Sequence, residues 1–304
     1  MLLSPKNPAL ARPVVAEDEP LINTTPLMAP SVVLLFIWMI VPLAMTLWFS
    51  VQRYNLLDPT SVGFAWFDNY EFLLTDPALL NAIKNTIALV VGVLAATVVF
   101  GVACAVALDA QFPGRGIARL FCIIPFFVMP TVSALVWKNL LMNPVNGLFS
   151  WVLKSVGLPA IDWFSNYPLS SIGIIVAWQW IPFATLILLT SLQSLDREQI
   201  EAARMDGARG WTLFWNITLP HLYRSITIVV MIETIFLLSV FAEILVTTSG
   251  GPGEASTTLP FLIYKTALLD YDVGGASAGG VIAIILANIV AFFLVRTIAH
   301  NLER

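Results

Sequence analysis

SSIGIIVAWQWIPFATLILLTSL, residues Ser170 to Leu192, runs 23 residues without an Asp, Glu, Lys or Arg. A helix that crosses a membrane needs about 20 mostly apolar residues, because a rise of about 1.5 Å per residue must cover a hydrocarbon layer about 30 Å thick. Five further stretches read as spans with few charges: Pro30 to Val51, Thr86 to Leu108, Leu120 to Leu141, Ile226 to Thr247 and Val281 to Ile298. The alternating ten-residue pattern of an outer-membrane barrel is absent. An all-α integral membrane fold with six transmembrane helices is therefore expected.

Composition agrees. Of 304 residues, 58% are hydrophobic and 11% charged, and the mean hydropathy is +0.85. An ordinary soluble domain carries about 25% charged residues, so these side chains are too few to cover a water-soluble globule. A net charge of −4 without a basic cluster excludes nucleic acid as a partner, since phosphate binding needs concentrated Lys and Arg. Cys104 and Cys122 both fall inside apolar runs, which suggests neither a disulfide framework nor a thiolate metal site.

Residues 1–29 form a polar, proline-rich tail carrying Glu17, Asp18 and Glu19, with no sign of a secretory signal peptide. Six spans put both termini on one side. Lys6, Arg12, Arg115, Arg119, Arg197, Arg204, Arg209, Arg224, Arg296 and Arg304 fall on one set of flanks, and Arg53, Lys84, Lys138, Lys154 and Lys265 on the other. Positive charge concentrates on the cytoplasmic side, so both termini are expected in the cytoplasm of a multi-pass inner-membrane protein. On the outer side, Trp66 to Lys84 reads as a partly amphipathic interfacial segment. Val145 to Gly157, with Leu148, Trp151, Val152 and Ser155 at helical spacing, reads as a short surface helix.

The inner connection from Gln193 to Ser225 is too long for a simple turn. It contains EAARMDGARGWTLFWNITLP, Glu201 to Pro220. Asp196, Glu198 and Glu201 place acidic groups in early helical turns, where the helix dipole favours them, and Gly207 can take the left-handed conformation that stops a helix. Trp211 to Ile217 then leads into Pro220, so helix, turn, helix is expected on the cytoplasmic face. Small side chains at Ala202, Ala203 and Ala208 suit a peg seated in another protein's groove. A helix lying on lipid headgroups is the bland alternative, but Glu198, Glu201 and Asp206 would then face an anionic leaflet that attracts basic residues.

The string EAARMDGA followed by ITLP resembles the EAA loop of permease subunits from binding-protein-dependent ABC importers, with Glu201, Ala202, Ala203, Asp206, Gly207, Leu219 and Pro220 at matching places. FDNYEFLLTDPALLNAIKNT (Phe67 to Thr86), IIPFFVMPTVSALVWKNLLMNP (Ile123 to Pro144), TSGGPGEASTTLPFLIY (Thr248 to Tyr264) and YDVGGASAGG (Tyr271 to Gly280) are similar to the carbohydrate branch of that family, including maltose, glycerol-phosphate and polyol permeases. The resemblance implies a second permease subunit, two copies of a cytoplasmic ATPase and an external solute-binding protein. It also implies that Glu201, Ala202, Ala203, Asp206 and Gly207 form the coupling helix received by the ATPase. No GxxxxGK[ST] phosphate loop occurs in this chain. ATP and magnesium are thus expected on the partner, with no cofactor, metal or catalytic residue here.

Polar groups inside spans are functional candidates, and Glu233 and Glu243 stand out in the fifth. Sugars are held by aromatic faces and by carboxylates or amides that satisfy hydroxyls. Trp178, Gln179, Trp180, Pro182 and Phe183 in the fourth span, and Phe126, Pro130 and Thr131 in the third, supply such groups beside helix breakers. By position relative to the family motifs, Phe126, Trp180, Phe183, Glu233, Phe236, Leu237 and Val240 resemble the places that line the maltose permease cavity. An interfacial aromatic belt would account for the tryptophans equally well. The expected function is the translocation path of a sugar or sugar alcohol importer, with sorbitol or mannitol as example solutes. An ion-coupled secondary transporter using Glu233 and Glu243 is the alternative, disfavoured by six spans without an internal repeat. An intramembrane enzyme is a third, for which His221, His300 and Cys104 lack a catalytic context.

Overall fold

The computed structural model describes residues 25–302 and is almost wholly helical. Most of the expected tail, residues 1–24, lies outside the described residues, and residues 25–29 already belong to the first helix. Contacts divide the chain into two units, one up to Met45 and one from Thr46. The first is the larger part of α1 (Thr25–Ser50), an apolar helix with Pro30 and Pro42 inside it.

The second unit opens with a two-stranded antiparallel ribbon, β1 (Gln52–Arg53) and β2 (Gly63–Phe64), and a short helix, α2 (Asp68–Thr75). Of these only α2 falls in the segment, Trp66 to Lys84, expected to lie at the interface. Then comes α3 (Pro77–Asp109), 33 residues long. It begins nine residues before the apolar stretch does, because Asp76 caps it by accepting from the Ala78 amide at 2.8 Å and Pro77 takes the first helical position. The polar residues that hid this extension are used in packing. Asn81 and Asn85 donate to the carbonyls of Glu254 and Thr257 at 2.9–3.1 Å, and the Thr86 hydroxyl accepts from the Leu259 amide at 2.8 Å.

The third apolar stretch is broken. α4 (Arg115–Ile123) leads into a tight 3₁₀ turn at Ile124–Phe127, and after Val128 and Met129 the chain resumes as α5 (Pro130–Val136), with a bend of 105° between the two arms. Pro125 and Pro130 each remove a backbone donor and clash with the preceding turn, which accounts for the break. The short surface helix expected in 145–157 is α6 (Leu148–Ser155). A single turn, α7 (Trp163–Asn166), precedes α8 (Pro168–Gln193), which contains the opening stretch and continues through Pro182.

α9 (Arg197–Met205) and a one-turn helix, α10 (Trp211–Leu213), follow. A π-helical turn at Phe214–Thr218 joins α10 directly to α11 (Leu219–Leu237). The stretch from Ile226 to Thr247 is therefore not one helix. The fifth span runs Trp211–Leu237, the chain unwinds over Leu238 to Phe241, and α12 (Ala242–Thr247) starts afresh. The Ser239 hydroxyl donates to the Phe236 carbonyl at 2.7 Å, taking an acceptor that continued helix would use. α13 (Leu259–Tyr264) and α14 (Val273–Leu302) complete the chain.

Among the described residues five helices are long and apolar enough to span a membrane, or six if the bent pair is counted as one span. The core lies chiefly between α3 and α8. Leu89, Val90 and Val93 meet Ile172, Val176 and Ala177 in one cluster; nearer the α9 end, Val102, Ala105 and Leu108 meet Ala184, Leu188 and Leu192. Lipid tails are as apolar as leucine, so such helices associate through close packing instead of escape from water. Gly101 marks the tightest approach: a Cβ there would stand 2.7 Å from the Ala184 Cβ. Gly101→Val should lower the thermal stability of the detergent-solubilised chain by about 1–3 kcal/mol, the usual range for overpacking. An unchanged melting curve would show that the two helices separate freely.

Candidate functional site

Two regions collect the candidate residues. The first is an aromatic cluster built by three elements. The 3₁₀ turn presents Phe126, α8 presents Trp180 and Phe183, and α11 presents Phe236. Phe126 stacks on Phe183 with ring centroids 5.8 Å apart and planes 23° apart, and meets Trp180 edge-on at 5.8 Å. Trp180 lies 5.8 Å from Phe183 and 5.2 Å from Phe236. The break in the third span makes this possible, because the turn carries Phe126 up to α8. Gln179 holds the turn in place by donating to the Val128 carbonyl at 3.0 Å. Phe126 is 37% exposed and Phe236 54%, so the cluster presents an open apolar face.

Glu233, Leu237 and Val240 are buried and not part of that exposed face, though Trp180 packs against the cluster that holds Leu237 and Val240. Leu237 and Val240 are buried in the core with Val93 and Ile244. Glu233 is fully buried, and its Oε2 accepts from the Thr97 hydroxyl of α3 at 2.6 Å. Oε1 has no partner among the described residues. Thr97 carried no signal in the sequence, since a lone threonine in a span commonly donates to its own helix, and this one also reaches the Leu94 carbonyl. Glu243 is also buried, at the start of α12, so it does not reach open water from this chain. The two carboxylates stand on different helices.

The second region is α9 and the turn after it. Asp196 caps the helix by accepting from the Glu198 amide at 3.0 Å. Gly207 has φ +89°, and the stop is a complete Schellman arrangement: the Gly207 amide donates to the Arg204 carbonyl and the Ala208 amide to the Ala203 carbonyl. Glu201, Ala202, Asp206 and Gly207 are exposed, and Ala203 is half-buried. Behind α9 lies a polar cleft of about 630 Å³ lined by Asp109, Gln111, Arg115, Glu201 and Arg204, with Arg115 3.8 Å from Asp109. His221 Nε2 lies 2.9 Å from the Ser191 carbonyl, tying the start of α11 to the end of α8. Among the described residues no group of three or more His, Cys, Asp and Glu is placed to hold a metal ion.

A bundle of long apolar helices with one broken span, and with a short capped helix exposed at one end, defines a multi-span membrane permease component. Residues 88–304 match the family described as binding-protein-dependent transport system inner membrane component, and the chain belongs to that family. The chain is 34% identical to a probable ABC transporter permease protein, y4oQ, of Sinorhizobium fredii, over 82% of this chain and 81% of that one. It is 30% identical to the trehalose/maltose transport system permease protein MalF of Thermococcus litoralis, over 88% of this chain and 89% of that one. Its fold is similar to that of a chain in the crystal structure of a bacterial ABC transporter that imports alginate, with a TM-score of 0.77 and 20% identity over 90% of this chain and 94% of that one.

Proposed function

We propose that this chain is one of two permease subunits in a bacterial carbohydrate importer, driven by two copies of a cytoplasmic ATPase and fed by an external solute-binding protein. The observation that carries the reading is α9: an exposed nine-residue helix, stopped by Gly207, in the connection between α8 and α11, whose near ends meet through His221 and the Ser191 carbonyl. Glu201, Ala202, Ala203, Asp206 and Gly207 are the contact with the ATPase, and both termini lie on that cytoplasmic side. Closure of a nucleotide-binding dimer is a rigid-body motion, which such a peg transmits to the spans.

The solute is a neutral sugar. The aromatic face of Phe126, Trp180, Phe183 and Phe236 suits the C–H face of a pyranose. Leu237 and Val240 support the face from behind, and Glu233 acts beside it on α11. MalF, named for trehalose and maltose, supports a neutral sugar. Vesicles holding the full assembly, tested with radiolabelled maltose, trehalose, sorbitol and mannitol, should take up a disaccharide only with ATP inside. Trp180→Ala should reduce that uptake about tenfold, the loss of one aromatic contact of about 1–1.5 kcal/mol. Uptake driven by a pH gradient without the ATPase would replace this reading with the ion-coupled transporter using Glu233 and Glu243.

A further inference from the structure

Between Val281 and Leu294, α14 is apolar at every position but one, Asn288. At 1.5 Å per residue Asn288 lies about 22 Å along the helix from Val273 and about 12 Å before Arg296, well inside a hydrocarbon layer about 30 Å thick. Its side chain is exposed on the outside of this chain, as are Ile285, Ile289 and Phe292 on the same helix face. An asparagine amide has two N–H donors and an acceptor oxygen. One N–H donates to the Ile284 carbonyl of its own helix at 2.8 Å. The other N–H and the oxygen have no partner among the described residues. Lipid tails offer none, and a polar group left unpaired in hydrocarbon is costly.

Asn288 shares a groove of about 210 Å³ with Ala287 and Ala291 of α14 and with Thr234, Ile235 and Leu238 of α11. Small side chains such as the two alanines let a neighbouring helix approach closely in a membrane. The groove adjoins the aromatic face, because Ile235 precedes Phe236 on α11, about 100° round the helix, and both are exposed. We propose that this groove receives a helix of the second permease subunit, which carries a Ser, Thr, Asn or Gln opposite Asn288 and so walls the solute path beside Phe236. This rests on the reading of the chain as one of two permease subunits and assigns the surface on which the other sits. Asn288 is what selects a polar-bearing helix over lipid: an amide hydrogen-bonds across a helix pair and gains nothing from a lipid tail.

Cells expressing the full set of importer subunits, with Ile289→benzoylphenylalanine in this chain, test the surface by irradiation of their membranes. An adduct with the second permease subunit is expected, identified by mass spectrometry of the joined peptides. Asn288→Leu should lower both that adduct and the amount of second subunit that co-purifies, by about threefold or more, the loss of one hydrogen bond between membrane helices. The level of this chain in the membrane should not change, since Asn288 is exposed. Asn288→Gln, which keeps the amide, should restore most of the pairing. Adducts with lipid alone or with a second copy of this chain, or full co-purification with the leucine variant, would each overturn the assignment. If the second subunit still co-purifies with the parent chain in those cases, only the surface falls and the two-subunit reading stands. If none co-purifies with the parent chain, both fall.

Discussion

Replacing Gly207 with valine should abolish ATP-driven uptake, by tenfold or more, while the chain still inserts in the membrane at its normal level. At φ +89° a residue with a Cβ is strained by about 1–2 kcal/mol, and a β-branched one by more. The cheapest relief is for α9 to run on past Met205, which breaks the two hydrogen bonds that close it and redirects the chain into α10. α9 would then no longer fit its groove. Gly207 has open space around the position of a Cβ, so backbone conformation and not crowding decides the effect. Gly207→Asn, which tolerates the left-handed region, should retain most activity. Uptake and solute-stimulated ATP hydrolysis in vesicles holding the assembly measure both. Full uptake by the valine variant would remove Gly207 from any part in coupling.

A second large effect is expected at Glu233, where stability and transport should move in opposite directions. A buried carboxylate with one oxygen unpartnered is costly to the fold. Glu233→Leu removes that burden and leaves the Thr97 hydroxyl its bond to the Leu94 carbonyl, so the solubilised chain should melt no lower than the parent. Uptake should nevertheless fall about tenfold or more, since a buried polar partner is worth about 1–3 kcal/mol to whatever group meets it. Glu233→Gln, which still accepts from Thr97, separates hydrogen bonding from charge: recovery with Gln assigns the role to the hydrogen bond. Undiminished uptake in the leucine variant would make Glu233 a packing residue only.

Much of this was legible in the residues alone. Runs such as Ser170 to Leu192 dictate apolar helices, because an uncharged stretch of that length has no other stable use in lipid. Gly207 announced its helix stop, because left-handed backbone strongly favours glycine. The limits of periodicity show at the ends and breaks of helices. Asn81 and Asn85 read as the outside of a span until a distant loop, Glu254 to Thr257, supplies the carbonyls they bind. The unwinding at Leu238 to Phe241 has no proline or glycine to announce it. Position relative to family motifs named Phe126, Trp180, Phe183, Glu233, Phe236, Leu237 and Val240 as one lining; in the structure the four rings touch one another, while Glu233, Leu237 and Val240 are buried.

By itself, the sequence determined what local chemistry determines: that the chain is a membrane bundle, that the helix of the long inner connection stops at Gly207, and that the third apolar stretch holds prolines. Only the tertiary structure decided which side chains meet. The pairing of Thr97 with Glu233 and the stacking of Phe126 on Phe183 each join different elements. Such meetings depend on how far one helix is rotated and shifted against the next, and that is set by packing over whole helix faces, as at Gly101 against Ala184, with no trace in the spacing of the residues concerned.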